Sequence, residues 1–138
     1  PNIPKENYII HAARFEVRCK RQDLLFAAFA KIKSNCKLVL LTEPCVELNK
    51  LIKKFKIQNK VITAGFQNNP YPWFKNANLS VLCSDFEALP TVIIESLICR
   101  TPVVSTDCIS GPSEILTGNI SIEDAVNTYT KKIKLVRG

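Results

Sequence analysis

Among the 138 residues there is no methionine, not even at the first position, so the sequence is expected to be a piece of a longer polypeptide. Glycine is nearly as scarce. Gly65, Gly111, Gly118 and Gly138 are the only four, and they cannot supply a GxGxxG turn or a GxxxxGK[ST] loop, which disfavours ordinary dinucleotide-binding and P-loop chemistry. A single histidine, His11, accompanies six cysteines at 19, 36, 45, 83, 99 and 108, none of them in a CxxC pair. The usual spacing of a zinc site is therefore missing, and no metal is expected. Without secretory features the cysteines read as reduced thiols, several of them buried. No apolar run approaches the roughly 18 residues of a membrane span, and the opening PNIPKEN has neither the charged start nor the apolar middle of a signal peptide. A cytoplasmic location is expected, or a peripheral one on the cytoplasmic face of the inner membrane.

What is present suits one folded domain over residues 1–138. The composition is 46% hydrophobic and 22% charged, and a chain of this length buries about two-thirds of its unfolded surface. The net charge of +7 is uneven. Residues 1–60 hold 13 Lys/Arg against 5 Asp/Glu, whereas residues 61–138 hold 6 against 7. A positive field confined to the first half attracts an anionic partner, which on charge alone is a phosphate ligand, a nucleic acid or an acidic membrane.

Short apolar runs alternate with helical spacing. Strands are predicted at Tyr8–Ala12, Leu38–Leu41, Val61–Ala64, Leu79–Cys83 and Pro102–Ser105. Arg14 to Arg21 reads as a charged turn. Helices are predicted at Gln22–Ile32, Val46–Phe55, Thr91–Cys99 and Ser121–Leu135, the last with a Ser121-x-x-Asp124 capping box. The stretch NNPYPWFKNA holds a turn or a short helix. Strands without polar alternation are covered on both faces, and intervening helices demand parallel pairing. The fold class is thus α/β, a doubly wound parallel sheet of Rossmann-like form, with ligands expected beyond the carboxyl ends of the strands.

Two segments there carry candidate chemistry. In HAARFEVRCKRQDLL, Arg14 and Lys20 flank a loop leading into a helix; they either clamp a diphosphate or form a solvated basic turn. In SDFEALPTVIIES, backbone N–H groups from about Leu89 to Val92, through Pro90 and Thr91, sit at a helix's positive end, a natural phosphate site. Glu87 and Glu95 flank that helix start, and their spacing alone is weak evidence. His11, in a strand read as buried, is expected to be structural. Tyr71, Trp73 and Phe74 read as packing aromatics, so no nucleic-acid partner is expected. Lys50, Lys53, Lys54 and Lys56 form a solvated helix side or a contact with acidic lipid.

In order and topology these segments resemble the donor-binding, C-terminal half of GT-B glycosyltransferases, specifically retaining family 4 of the group 1 glycosyl transferases. ARFEVRCKRQDLL matches the family's G-R-(five residues)-K-x-x-D-L-L, and SDFEALPTVIIE matches S-x-x-E-G-x-P-x-x-x-x-E. VITAGFQNNPYPWFKNANLSVLCS is close to the V-x-x-x-G-F stretch with its following strand. RTPVVSTDCISGPSEIL is like G-T-P-V-V-x-T-D-x-x-S-G-P-x-E-I-L of bacterial members that build surface glycans.

The resemblance implies transfer of a sugar from a nucleotide sugar, UDP-sugar favoured, to a glycan or lipid-linked acceptor in lipopolysaccharide, capsule or other polysaccharide synthesis. Arg14 and Lys20 would bind the diphosphate, Glu95 the ribose and Glu87 a hydroxyl of the donor sugar. Ala88 to Val92 would line the donor, and Ala64, Gly65 and Phe66 would adjoin the nucleobase. Arg14, Lys20 and Glu87 form the expected catalytic set, with no cofactor or metal, and the acceptor would lie on a missing N-terminal domain. The fragment alone is expected to be inactive. Departures are Ala13 and Ala88 where the family most often has glycine, Arg100 for a common glycine, a second-strand loop LLTEPCVELN without G-E-G-P, and GNISIEDAV from Gly118, where the segment is either shortened or has lost residues omitted between about Leu116 and Ile122. These departures keep open a non-catalytic nucleotide-sugar-binding domain or a flavodoxin-like regulatory module.

Overall fold

The apolar runs become strands because each is covered on both sides, and a computed structural model describes the result for residues 2–108 and 111–117. Strands β1 (Tyr8–Ala12), β2 (Lys37–Leu41), β3 (Val61–Thr63), β4 (Leu79–Leu82) and β5 (Val103–Ser105) form one sheet in the order β3-β2-β1-β4-β5. Every pairing in it is parallel, with Ile9 opposite both Leu38 and Leu79. The helices are α1 (Val17–Lys20), α2 (Gln22–Phe29), α3 (Val46–Lys54), α4 (Tyr71–Asn76), α5 (Thr91–Ile98) and α6 (Pro112–Thr117). The chain is therefore a doubly wound, Rossmann-like α/β fold.

Two apolar layers hold the sheet. On one face Leu38 and Leu40 of β2 meet Leu25, Phe26 and Phe29 of α2 and Leu48 and Ile52 of α3. On the other, Val39 and Leu41 join Tyr8 and Ile10 of β1 against Trp73 and Phe74 of α4. The alternation along β2 follows from the two-residue period of a strand, which sends successive side chains to opposite faces. Tyr8 carries its hydroxyl into the second layer and donates it to the Trp73 carbonyl at 2.5 Å. Burial pushes its ionisation up to about 12.

Several boundaries differ from the sequence expectation. Part of the charged turn is the short helix α1, and Arg21, in the left-handed region (φ 52°), ends α1 and starts α2. Helix α2 stops at Phe29 rather than Ile32, because the Lys31 and Ile32 N–H groups bond the carbonyls three residues back and tighten the chain out of the helix. Strands β3, β4 and β5 are each one residue shorter than expected. Helix α6 follows Gly111 and had no counterpart in the sequence reading. The helix expected at Ser121–Leu135 and the question of residues omitted after Gly118 lie outside the described residues.

All six cysteines are free, with Cys83 and Cys108 buried. Burial pushes the Cys83 thiol up to about 11, which leaves it inert near neutral pH. No described helix is long and apolar enough to cross a membrane.

Of the positions where the related motifs carry glycine, Ala13 and Ala88 adopt no positive φ, whereas Arg100 does (φ 59°). The strain falls at Arg100, an exposed residue after α5. Arg100→Gly is expected to stabilise the chain by about 1 kcal/mol, the left-handed penalty of roughly 1–2 kcal/mol outweighing the extra entropy of glycine in the unfolded chain. Thermal unfolding would show a rise of about 3–5 °C, and an unchanged or lower midpoint would refute the assignment.

Candidate functional site

The strand order reverses its direction of growth between β1 and β4, and the crevice there is where such folds bind ligands. Two segments leave the sheet at this point. After β1 the chain runs through Arg14 and α1 to Arg21. After β4 it runs from Cys83 to Pro90 and into α5.

Lys20 closes α1, and its Nζ lies 2.6 Å from Glu87 Oε1. The pair is largely withdrawn from water, with side-chain exposures of 17% and 11%. The same carboxylate oxygen accepts the Ser84 hydroxyl at 2.6 Å. Ser84 is fully buried, and its own carbonyl accepts from Thr106 Oγ1, so the segment after β5 braces the loop from the other side.

Beneath the first segment lies Gln22, 1% exposed. Its amide donates to the Arg14 carbonyl at 2.9 Å and accepts from the Glu16 N–H at 3.3 Å, holding the Arg14–Glu16 loop to the head of α2. The Arg14 side chain extends into solvent, 77% exposed, and pairs with Glu16 at 2.8 Å. The structure thus brings Lys20 and Glu87 together and leaves Arg14 at the rim.

At the head of α5 the expectation of free N–H groups from Leu89 to Val92 needs narrowing. Pro90 has none, and the Thr91 N–H is spent on the Leu89 carbonyl at 2.9 Å. Leu89 and Val92 are the two whose N–H groups have no hydrogen-bond partner among the described residues. Ala88 sits below this turn, its carbonyl 3.7 Å from where a Cβ on Gly111 would stand. Glu95, one turn into α5, is half-buried, and its carboxylate has no ion-pair or hydrogen-bond partner among the described residues. Burial raises its carboxyl above the ordinary range, so hydroxyl donors brought by a ligand would stabilise its charged form.

The segment after β3 is a separate, braced turn. Gly65 takes φ 73°, the Phe66 N–H donates to Glu43 Oε1 at 2.9 Å, and Gln67 Nε2 donates to the Ala64 carbonyl at 2.8 Å. Trp73 Nε1 in turn donates to Gln67 Oε1 at 3.2 Å. Phe66 itself is 71% exposed. The basic residues Lys50, Lys53, Lys54 and Lys56 are all exposed on and just after α3.

His11 lies in β1 beneath the site and is fully buried. Its Nδ1 faces the Val81 carbonyl at 3.0 Å, which assigns the proton to that nitrogen and leaves Nε2 to accept from Gln22 at 3.5 Å. Burial holds its pKa below the usual value, with the Val81 hydrogen bond acting in opposition. The unfolded chain therefore binds a proton before the folded one does, and stability is expected to fall as pH drops below about 6.5. Urea midpoints at pH 7.5 and 5.5 should separate more in the parent chain than in His11→Gln. Equal separations would contradict this placement.

Residues that reading the sequence missed are Gln22, Ser84, Arg21 and Asp85. Ser84 had a signal, as the first residue of the S-x-x-E segment; Gln22 had none, since a glutamine opening a helix looks solvated.

Comparison with known proteins gives the family and the fold. The family model described as Glycosyl transferases group 1 matches residues 1–134. An uncharacterised glycosyltransferase of Methanocaldococcus jannaschii is 36% identical over 132 residues, covering 91% of this chain and 32% of that protein. The N-acetylgalactosamine-N,N'-diacetylbacillosaminyl-diphospho-undecaprenol 4-alpha-N-acetylgalactosaminyltransferase of Campylobacter jejuni is 38% identical over 113 residues, covering 80% of this chain and 31% of that one. Among solved structures, a variant of S. aureus TarM in complex with fondaparinux, alpha-GlcNAc-glycerol and UDP superimposes with a TM-score of 0.70 at 28% identity, over 84% of this chain and 25% of that one. The chain thus spans about a third of the length of the curated relatives it matches.

Proposed function

This chain belongs to the group 1 family of glycosyl transferases, and from that premise we propose that it is the donor-binding, C-terminal domain of a retaining, family 4 enzyme. The whole protein moves a sugar from a UDP-sugar to a glycan or lipid-linked acceptor in the synthesis of surface polysaccharide or lipopolysaccharide. One observation carries the reading: the part-buried meeting of Lys20 with Glu87 over the crevice between β1 and β4. The UDP found with TarM and the lipid-linked acceptor named for the Campylobacter relative support the choice of donor and acceptor class.

The division of labour follows from where charge develops. Cleavage of the donor bond leaves extra negative charge on the β-phosphate, so a cation there acts most strongly in the transition state. Lys20 supplies it, with Arg14 swinging in from the rim and the Leu89 and Val92 N–H groups at the head of α5 adding partial positive charge. These groups neutralise the diphosphate, and no metal is called on. Once the diphosphate takes Lys20, Glu87 is released to accept a hydroxyl of the donor sugar. It orients the sugar and steadies positive charge at the anomeric carbon, and the leaving phosphate takes the acceptor proton. Glu95 accepts from the ribose hydroxyls, and Ala64 to Phe66 adjoin the base. We place the reaction in the cytoplasm, with the basic side of α3 toward acidic membrane.

Calorimetric titration of the chain with UDP, GDP and ADP, with and without magnesium, tests the reading. UDP is expected to bind without magnesium, and Arg14→Ala to weaken it about tenfold, one charge-assisted contact at an exposed position. Absence of binding by all three nucleotides would overturn it.

A further inference from the structure

Three consecutive residues at the end of α1 meet three consecutive residues of the β4–α5 loop. The Asp85 N–H donates to the Cys19 carbonyl at 2.9 Å, and Cys19 Sγ donates to the Phe86 carbonyl at 3.3 Å. Lys20 pairs with Glu87. Arg21 Nη1 reaches both oxygens of Asp85, at 3.2 and 3.0 Å, while its Nε reaches Asp23 Oδ1 at 3.1 Å. Residues 19–21 and 85–87 are thus laced together across the switch point, and the lacing is made of side chains and one peptide rather than of a glycine-rich turn.

From this we infer that Arg21 and Asp85 are positioning residues for the donor diphosphate, forming a clamp that sets where Lys20 stands relative to the head of α5. The inference rests on the donor-binding reading. Its logic is geometric. Arg21 is the hinge between α1 and α2, held at φ 52°. Because Lys20 is the residue before it, a rotation at Arg21 carries the ammonium away from the loop. The guanidinium fork spans two carboxylates, Asp23 on its own helix and Asp85 across the crevice, and so resists that rotation in a way a lysine at the same place would not. Neither residue need touch the ligand. With side-chain exposures of 33% for Arg21 and 55% for Asp85, the pair adds little to stability, so its effect should appear in binding and not in the unfolding midpoint.

A double-mutant cycle tests this. UDP affinity and thermal midpoint are measured for Arg21→Gln, Asp85→Asn and the double variant, with Lys20→Ala as reference. Each single variant is expected to raise the UDP Kd about fivefold, and the double variant to raise it by no more than either single, because all three remove the same clamp. Midpoints should stay within about 2 °C of the parent. Unchanged affinity in both singles, additive losses in the double, or losses that follow a fall in midpoint would each overturn the inference. The reference keeps the two claims apart. If Lys20→Ala leaves UDP binding intact, the donor site itself is wrong; if Lys20→Ala weakens binding while the Arg21 and Asp85 variants do not, only the clamp is.

Discussion

Lys20→Ala is expected to weaken UDP binding about 100-fold, the equivalent of roughly 2.7 kcal/mol, and to destabilise the fold at the same time. The second effect arises because Glu87 is 11% exposed. It keeps the Ser84 hydroxyl but loses the Lys20 ammonium, and taking the partner from a part-buried charged group costs about 1–3 kcal/mol. Glu87→Gln should behave in the opposite sense toward the nucleotide. With no carboxylate competing for the Lys20 ammonium, UDP binds a few-fold more tightly, while turnover in the whole enzyme falls about 100-fold for want of the charge that steadies the sugar in the transition state. Combining Lys20→Met with Glu87→Gln removes both charges, so stability should return toward that of the parent while UDP binding stays weak. Calorimetry, urea unfolding and a donor-hydrolysis or transfer assay read the three quantities separately. Nucleotide affinity lost to the same extent in Lys20→Ala and Glu87→Gln would show that the pair is a structural strut rather than a site in which the ligand replaces one partner.

Gly111→Ala should be nearly as damaging, although residue 111 lies outside both donor motifs. Gly111 takes φ +94°, and a Cβ there would stand 2.4 Å from Pro90 Cδ and 3.1 Å from its Cγ. A proline ring has no rotamer by which to retreat. The left-handed conformation costs about 1–2 kcal/mol for a side chain and the overlap a further 1–3 kcal/mol or so, together lowering the thermal midpoint by about 10 °C. The overlap also displaces the Ala88–Pro90 turn at the head of α5, so UDP affinity should fall about tenfold. Gly65→Ala provides the contrast. Its φ is +73°, yet the nearest atoms a Cβ would meet are the Glu43 carboxylate oxygens at 3.9 and 4.0 Å, leaving only the conformational cost of about 1–2 kcal/mol. Equal midpoints for the two variants would argue against the packing of Gly111 on Pro90.

Much of this molecule is legible without coordinates. The five strands fall where the apolar runs lie, within a residue at their ends. A strand covered on both faces is mostly apolar, with His11 in β1 and Ser80 in β4 as buried polar exceptions, and such runs are short. Helix ends were less legible. The boundary at Arg21 and the stop of α2 at Phe29 depend on φ at one residue and on which carbonyl a single N–H selects. The motif segments led to Lys20 and Glu87, but as two separate contacts to different parts of a ligand. That they hold each other in this structure was not readable. Nor was the ordinary backbone of Ala88, which takes no positive φ, or the strain at Arg100, whose backbone does.

The sequence by itself determined the order of elements, the parallel pairing and the four segments that mark the family, since all of these are properties of local runs and their spacing. Tertiary structure alone decided which charges meet. Lys20 and Glu87 are 67 residues apart, and Arg21 and Asp85 are 64. They become neighbours only because β4 lies beside β1 instead of beside β3. That ordering brings the ends of two distant segments to one crevice, and the scarcity of glycine is met there by laced side chains, with Gly111, of the two described glycines, the one whose lack of a side chain lets the loop beside Pro90 close.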